Sequence, residues 1–583
     1  MKTDWDFKLF YPSKTSSKID GDIKKAKAWI LSFEKKYKNK TDYLKSELAL
    51  ARSLKDYERL LEDPSVSRVL HYYIFRKEIN TADKEAEAKL SKLGNDFTLL
   101  ENRILFFTLN LGKIDKKLQQ KFLKSGKLVK YQYFLEKVFE NGMFDLSEPE
   151  EKILNLKSQT SYGLWVDGVD KAISKETVKF KGKEIPIAEA QGKISSLPTK
   201  ERRTLHEQVL DRYKAHSDFA ESEMNAVVLH KKTNDELRGF KQPYSSTILG
   251  YENDEKSVLN LVDSVTAHYS ISHRFFKLKA KLLKQERLSY ADRGVSIGKT
   301  STKIPFEKAV EMYKEVLQNT DIEFVKIFES FLKKGQIDVY PKKGKTGGAF
   351  CASDIGLPTL VLLNQTDDFK SFTTLAHEMG HAFHSELSKR QPPLYQGYTT
   401  SVAETASTFF EQLSFEHIFG QLSKKEQIVA LHDKISDDVS SIFRQISFFN
   451  FEVDLHKTIR EQGFLPKEEI AALLNKHMEN YLGSTFKMNE LDGYFFVTVS
   501  HFRRFFYVYS YAYGQLISRA MVERVKEDPS YIEQVKQFLS DGGSKAPEKI
   551  FADIGIDTTK PSFFVEGLKG IENDIKKLEQ LTS

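Results

Sequence analysis

Residues 376–384 read Ala376-His377-Glu378-Met379-Gly380-His381-Ala382-Phe383-His384. On an α-helix, residues four apart stand one turn above each other, so His377 and His381 aim both imidazoles at one point beside the helix. That point suits Zn2+. Glu378, one step round the same turn, lies beside the open coordination position, where a carboxylate takes a proton from an activated water. The spacing therefore specifies ligand, base, ligand. Phe372, Leu375, Ala376, Met379, Ala382, Phe383 and Leu387 keep a helical apolar face, with His377, His381 and His384 on another. The bland alternative is a solvated polar stripe, and the His-Glu-x-x-His spacing makes it the weaker one.

A catalytic zinc site needs a third protein ligand and leaves its fourth position to water. A third histidine six residues beyond His381 is excluded, because position 387 is Leu. Glu404 is the better candidate, in Ser401-Val402-Ala403-Glu404-Thr405-Ala406-Ser407-Thr408-Phe409-Phe410-Glu411. This stretch reads as a second helix with Glu404 and Glu411 on one face. Pro392, Pro393 and Gly397 supply a reversal between the two helices. Antiparallel neighbours then bring Glu404 to the same metal, and the small residues Ala403, Ala406 and Ser407 favour close packing. Glu411 is a candidate to accept a hydrogen bond from a ligand imidazole and fix its tautomer; a surface carboxylate is its alternative. His384 shares the ligands' face and is expected to shape the site or pack rather than bind zinc.

Water attack on a peptide carbonyl builds an oxyanion that needs preorganised donors. Candidates lie in His501-Phe502-Arg503-Arg504-Phe505-Phe506-Tyr507-Val508-Tyr509-Ser510-Tyr511-Ala512-Tyr513-Gly514. His501, Tyr507 and Tyr509 carry the needed groups, and a plain core role is the alternative for at least half of these aromatics. Gly344, Gly347 and Gly348 make a turn before the apolar, strand-like run Leu360 to Leu363, which ends in Asn364. That run reads equally as a substrate-pairing edge strand or as a buried strand of a small sheet.

Together these segments resemble the thimet oligopeptidase and oligoendopeptidase F superfamily of zinc peptidases, and the oligoendopeptidase F branch above all. Leu237-Arg238-Gly239-Phe240, Gly347-Gly348-Ala349-Phe350-Cys351 and the opening Trp5-Asp6-Phe7-Lys8-Leu9-Phe10-Tyr11 are similar to further family elements. The resemblance spans almost the whole chain. It departs at Ser500, where relatives commonly have Pro, and at Phe502 to Phe506, where animal-type members have a glycine-rich loop. Substrate preferences are therefore not carried over from that branch.

The resemblance implies a mostly α, two-lobed helical zincin of gluzincin type, with a small β-sheet and a deep substrate cleft. It implies one Zn2+ per chain on His377, His381 and Glu404, with Glu378 as base and His501 and Tyr509 on the oxyanion. The aromatic register leaves Tyr507 and Tyr511 open. It also tips the glycine turn and strand, with Gly348 and Ala349, toward substrate binding. The implied activity is endopeptidase cleavage of short unstructured peptides. A carboxypeptidase, a dipeptide-releasing peptidase and a non-catalytic peptide binder are the alternatives; Glu378 argues against the last, since binding alone needs no base there. Co2+ or Mn2+ suits the same ligands.

Composition sets outer limits. A chain of 583 residues buries more than one core, with expected parts 1–195, a helical lobe, and 196–583, the catalytic domain. The net charge of +7 is mild over this length, and its lysine-rich stretches alternate with apolar residues as solvated helix faces do. Nucleic acid is not an expected partner. The single cysteine, Cys351, allows no intrachain disulfide and makes the cytoplasm the default compartment. The N-terminus lacks the apolar core of a secretory signal, and no run is long enough to cross a bilayer. Oligomeric state is left open. Helical periodicity dominates, with helices expected over 19–38, 44–62, 66–93 and 95–109, a hairpin over 177–187, and a loop over 289–305.

Overall fold

The computed structural model describes residues 1–298 and 302–583. Most of them are helical, and the described strands number only five. Contacts gather the chain into two compact units. The first comprises Met1–Lys152, Thr302–His417 and Met521–Ile554; the second comprises Ile153–Ser301, Ile418–Ala520 and Gly555–Ser583.

The N-terminal helices run Ser17–Tyr37, Glu47–Glu62, Ser65–Ile79, Lys84–Glu101 and Phe106–Gly112. The helix expected over 66–93 is therefore two. Asn80 leaves helical geometry, and the Asp83 side chain accepts the Ala86 N–H to cap a new start. An unbroken apolar stripe hides such a break because it continues across both pieces. Of the loop expected over 289–305, residues 299–301 lie outside the described ones.

In the second unit, β1 (Thr177–Phe180) and β2 (Lys183–Pro186) form the expected hairpin. Its two-residue turn uses Lys181 and Gly182, both with positive φ, as the twist of a tight hairpin requires. In the first unit, β3 (Ile337–Asp338), β4 (Phe350–Ala352) and β5 (Leu360–Leu362) form a sheet in the order β3-β5-β4. The run Leu360 to Leu363 is thus the buried central strand. Both of its sides are already paired, parallel to β3 and antiparallel to β4. The edge falls to β4, which the glycine turn leads into.

The opening residues brace this sheet. Trp5 donates its indole N–H to the Val361 carbonyl at 2.8 Å and packs edge-on against Phe350. Lys2 and Asp6 donate backbone N–H groups to Leu332 and Gly335, and Val339 donates to Thr3. The Asn364 side chain, at the end of β5, donates to the Thr346 and Gly348 carbonyls and fixes the turn before β4. Gly348 itself has φ +78°, which favours glycine there.

Candidate active site

Two helices of the first unit carry the motif residues. Helix α1 spans Phe369–Ser388, started by Asp368, whose side chain accepts the Ser371 N–H. Helix α2 spans Thr400–Phe419. His377 meets Glu411, Gly380 meets Ser407, and His381 meets Glu404. One numbering rises as the other falls, so the helices are antiparallel. Their approach is close: a Cβ on Gly380 would lie 2.7 Å from Ser407 Cα and 2.8 Å from the Ala406 carbonyl oxygen. Glycine and small residues at this crossing let the two backbones come near enough to bring donors from both helices together.

His377 Nε2 lies 3.8 Å and His381 Nε2 4.0 Å from Glu404 Oε2. One ligand atom from each of the three residues falls within 4.8 Å of the others. Two imidazole nitrogens and a carboxylate oxygen are the donor set of a zinc site with an open position. The residues therefore fit a single ion of that kind.

An outer contact orients one of the donors. Glu411 Oε2 takes a hydrogen bond from His377 Nδ1 at 2.9 Å, which leaves Nε2 toward Glu404. Burial opposes a charge on His377, but the Glu411 hydrogen bond and the charges of Glu411, Glu378 and Glu404 outweigh it and push its pKa up to about 9. Burial, with His377 and His384 nearby, drives His381 well below the usual range.

Glu378 is buried, and the backbone of Cys351, on edge strand β4, favours its charged form. Burial pushes its carboxyl up to about 7; Glu404 and Glu411 add to this and the His377 charge opposes it. Burial likewise raises Glu404. Beside the donors is a cavity of about 480 Å³, lined among others by Cys351, Ser353, His381, Ser385, Tyr398 and Glu404. Ser385 Oγ joins Tyr398 Oη at 2.8 Å and Ser353 Oγ at 2.9 Å.

His384 stands apart from the three donors. It is fully buried and stacks flat on Tyr398, with centroids 3.6 Å apart at 9°. Burial pulls its pKa down to about 3. Gly348 is exposed and Ala349 half-buried, in the turn before β4.

The second unit holds the C-terminal motif. Helix α3 spans Gln445–Gln462, His501 lies in the short helix Ser500–Arg503, and helix α4 (Tyr509–Glu527) begins within the motif. His501 Nδ1 and Tyr507 Oη are 2.6 Å apart, with Tyr511 Oη 3.5 Å from Tyr507 Oη. Burial, helped by the Arg444 and Arg504 charges, lowers His501 to about 4, so its ring is neutral at pH 7. Tyr509 is the other residue expected on the oxyanion. It is fully buried, and its hydroxyl donates to Asn253 Oδ1 at 2.9 Å. His501 and Tyr507 are brought together; His501 and Tyr509 are not. The Asn364 brace and the Tyr398 stack carry no motif of their own in the sequence.

A mostly helical fold with a buried glutamate beside a His-His-Glu donor set is the arrangement of a metallohydrolase. The profile described as "Peptidase family M3" matches residues 198–570, and that described as "Oligopeptidase F" matches 110–172. The chain belongs to peptidase family M3 and is a peptide hydrolase. It is 28% identical over 546 residues to an oligoendopeptidase F homolog of Borreliella burgdorferi, covering 91% of each chain. It is 25% identical over 531 residues to oligopeptidase PepF of Bacillus subtilis, covering 88% of this chain and 79% of that one. The crystal structure of oligoendopeptidase-F from Enterococcus faecium shares the fold, with a TM-score of 0.74 at 17% identity over 97% of this chain and 99% of that one. Among the described residues, no helix is long and apolar enough to cross a membrane.

Proposed function

We propose that the protein is a zinc-dependent oligoendopeptidase that cuts internal bonds of short, unstructured peptides. The observation that carries this is the His377, His381 and Glu404 donor set with the buried Glu378 beside it on α1. The names of the relatives, oligoendopeptidase F and oligopeptidase PepF, support the substrate size.

His377, His381 and Glu404 would hold one zinc ion. When bound, it would act as a Lewis acid and acidify a water molecule. Glu378 takes the proton as water attacks the scissile carbonyl and returns it to the leaving amine. With Tyr507 donating to Nδ1, His501 carries its proton on Nε2 and offers that N–H to the oxyanion, a role supported by the family resemblance. Tyr509, with its hydroxyl on Asn253, serves the core beneath this motif. Gly348 and Ala349 lead the peptide backbone onto edge strand β4, whose exposed turn supports that role.

The division at residue 195 is one of function rather than of compact bodies, and the start of the peptidase profile at residue 198 supports it. Cytoplasmic residence is supported by the single cysteine.

The test is a time course on peptides of about 5–30 residues plus one folded protein, read by mass spectrometry with and without chelator. Internal cleavage of the peptides alone, lost on chelation and restored by zinc, is the expected result. Trimming from one end would replace the endopeptidase assignment, and metal-independent cleavage would remove the zinc mechanism.

A further inference from the structure

His501 and Tyr507 lie on either side of a sterically disfavoured turn. Phe505 and Phe506 are consecutive non-glycine residues with φ of +51° and +60°, where a Cβ crowds the following carbonyl oxygen. Such backbone persists only where its surroundings over-determine it, and it clusters at functional sites.

Polar anchors hold this segment. Before the turn, the buried Arg503 forks both oxygens of Glu223, at 2.8 and 2.6 Å, and donates to the carbonyls of Phe496, Val497 and Val499. That clamp fixes the chain that leads into His501. Inside the turn, the Phe506 N–H donates to Glu452 Oε1 at 2.8 Å. Glu452 projects from α3, is fully buried, and has no partner for Oε2. Burial pushes its carboxyl up to about 8, against the Phe506 N–H and the Lys231 charge.

Tyr162 packs its ring 6.0 Å from Phe505 and donates its hydroxyl to the Arg503 carbonyl at 2.5 Å. His456, four residues along α3, sets its ring 4.8 Å from Phe506 and 5.6 Å from Phe505. The Lys231 ammonium lies 5.7 Å from the Phe505 ring and is itself bound by Asp235 and Ser246. A buried acid with one hydrogen bond, made to a strained backbone N–H, is costly to keep for packing alone.

We propose that Glu452 is a positioning residue: its hydrogen bond to the Phe506 N–H fixes the left-handed turn and so sets the Tyr507 hydroxyl on His501 Nδ1. The path is short, from Glu452 Oε1 through Phe506 N to the next residue, Tyr507, whose hydroxyl is 2.6 Å from His501. A phenol held there as donor keeps the imidazole proton on Nε2. The catalytic meaning rests on the role proposed above for His501 and Tyr507, whereas the positioning itself is observable without turnover.

The experiment is ¹⁵N NMR of the full-length protein with labelled histidine at pH 7, with His501 assigned by His501→Gln, beside kcat and KM on a short peptide. Glu452→Leu is expected to turn the Nε2–H pattern of His501 into a tautomer mixture and to lower kcat about 10–100-fold, with KM within about twofold. Glu452→Gln keeps the acceptor oxygen and is expected to rescue both readouts. Where Glu452→Leu folds poorly, the pair Phe505→Gly and Phe506→Gly loosens the same turn and is expected to reproduce the mixture. An unchanged His501 pattern in both kinds of variant overturns the proposal. A changed pattern with unchanged kcat keeps Glu452 as the positioning residue and removes His501 and Tyr507 from the chemistry.

Discussion

The donor pair of helices and the His501 turn place polar groups by opposite means. On α1 and α2, regular helical spacing does it: His377, Glu378 and His381 are set by one helix, Glu404 and Glu411 by the other, and Gly380 lets them meet. Around His501, a 3-10 turn and two left-handed phenylalanines break any period, and a buried acid from α3 holds the result. Where chain geometry is periodic, spacing alone tells which residues share a point. Where it is irregular, the partner depends on a distant residue.

The largest expected effect lies on the periodic side. Glu378→Gln should lower kcat about 10²–10⁴-fold while the protein keeps its zinc, measured by steady-state kinetics and metal analysis. Retained turnover would remove Glu378 from the base role.

The irregular side is sharpened by two matched variants. Tyr507→Phe should cost about 10²-fold in kcat with its melting temperature little changed, because a displaced donor misaligns the reacting groups. Tyr509→Phe should do the reverse, lowering the melting temperature through a buried Asn253 left short of its donor, with kcat nearly intact. Equal kinetic losses in both would erase the distinction between the two tyrosines.

Glu411→Gln should weaken zinc affinity about 10–100-fold, read by competition with a chelating dye, since Glu411 orients His377. An unchanged affinity would show that α2 contributes through Glu404 alone.

The smallest effect concerns His384. Its pKa is about 3 in the fold, below the 6.5 of an unfolded histidine. Between these values the unfolded chain binds the proton first, so stability is full above pH 6.5 and falls as the pH drops toward 3. At pH 5 this histidine alone should cost about 2 kcal/mol relative to pH 7. Urea unfolding at both pH values should show that loss shrink by the same amount in His384→Leu.

Much of the helix pair was legible in the sequence because its period matches its chemistry. Glu404 and Glu411 could be placed on one face from spacing, and Ala403, Ala406 and Ser407 announced a close crossing. The strand assignment was less legible. Leu360 to Leu363 is apolar enough for either an edge or a centre, and only the pairing with β3 and β4 decides for the centre. Tyr507 and Tyr509 are two apart with one residue type, so no pattern separates them. Their difference comes from the Phe505 and Phe506 backbone and from Asn253, a residue 256 positions from Tyr509 in the chain.

The central claim is that His377, His381 and Glu404 form one catalytic zinc site. Its most direct measurement is peptide-cleavage rate against added zinc, after complete metal removal, for the wild type and Glu404→Ala. The account predicts no cleavage without metal, a wild-type plateau at one zinc per chain, and a shift of Glu404→Ala to much higher zinc. Full activity of the stripped protein, or superimposable titrations of the two proteins, would contradict it.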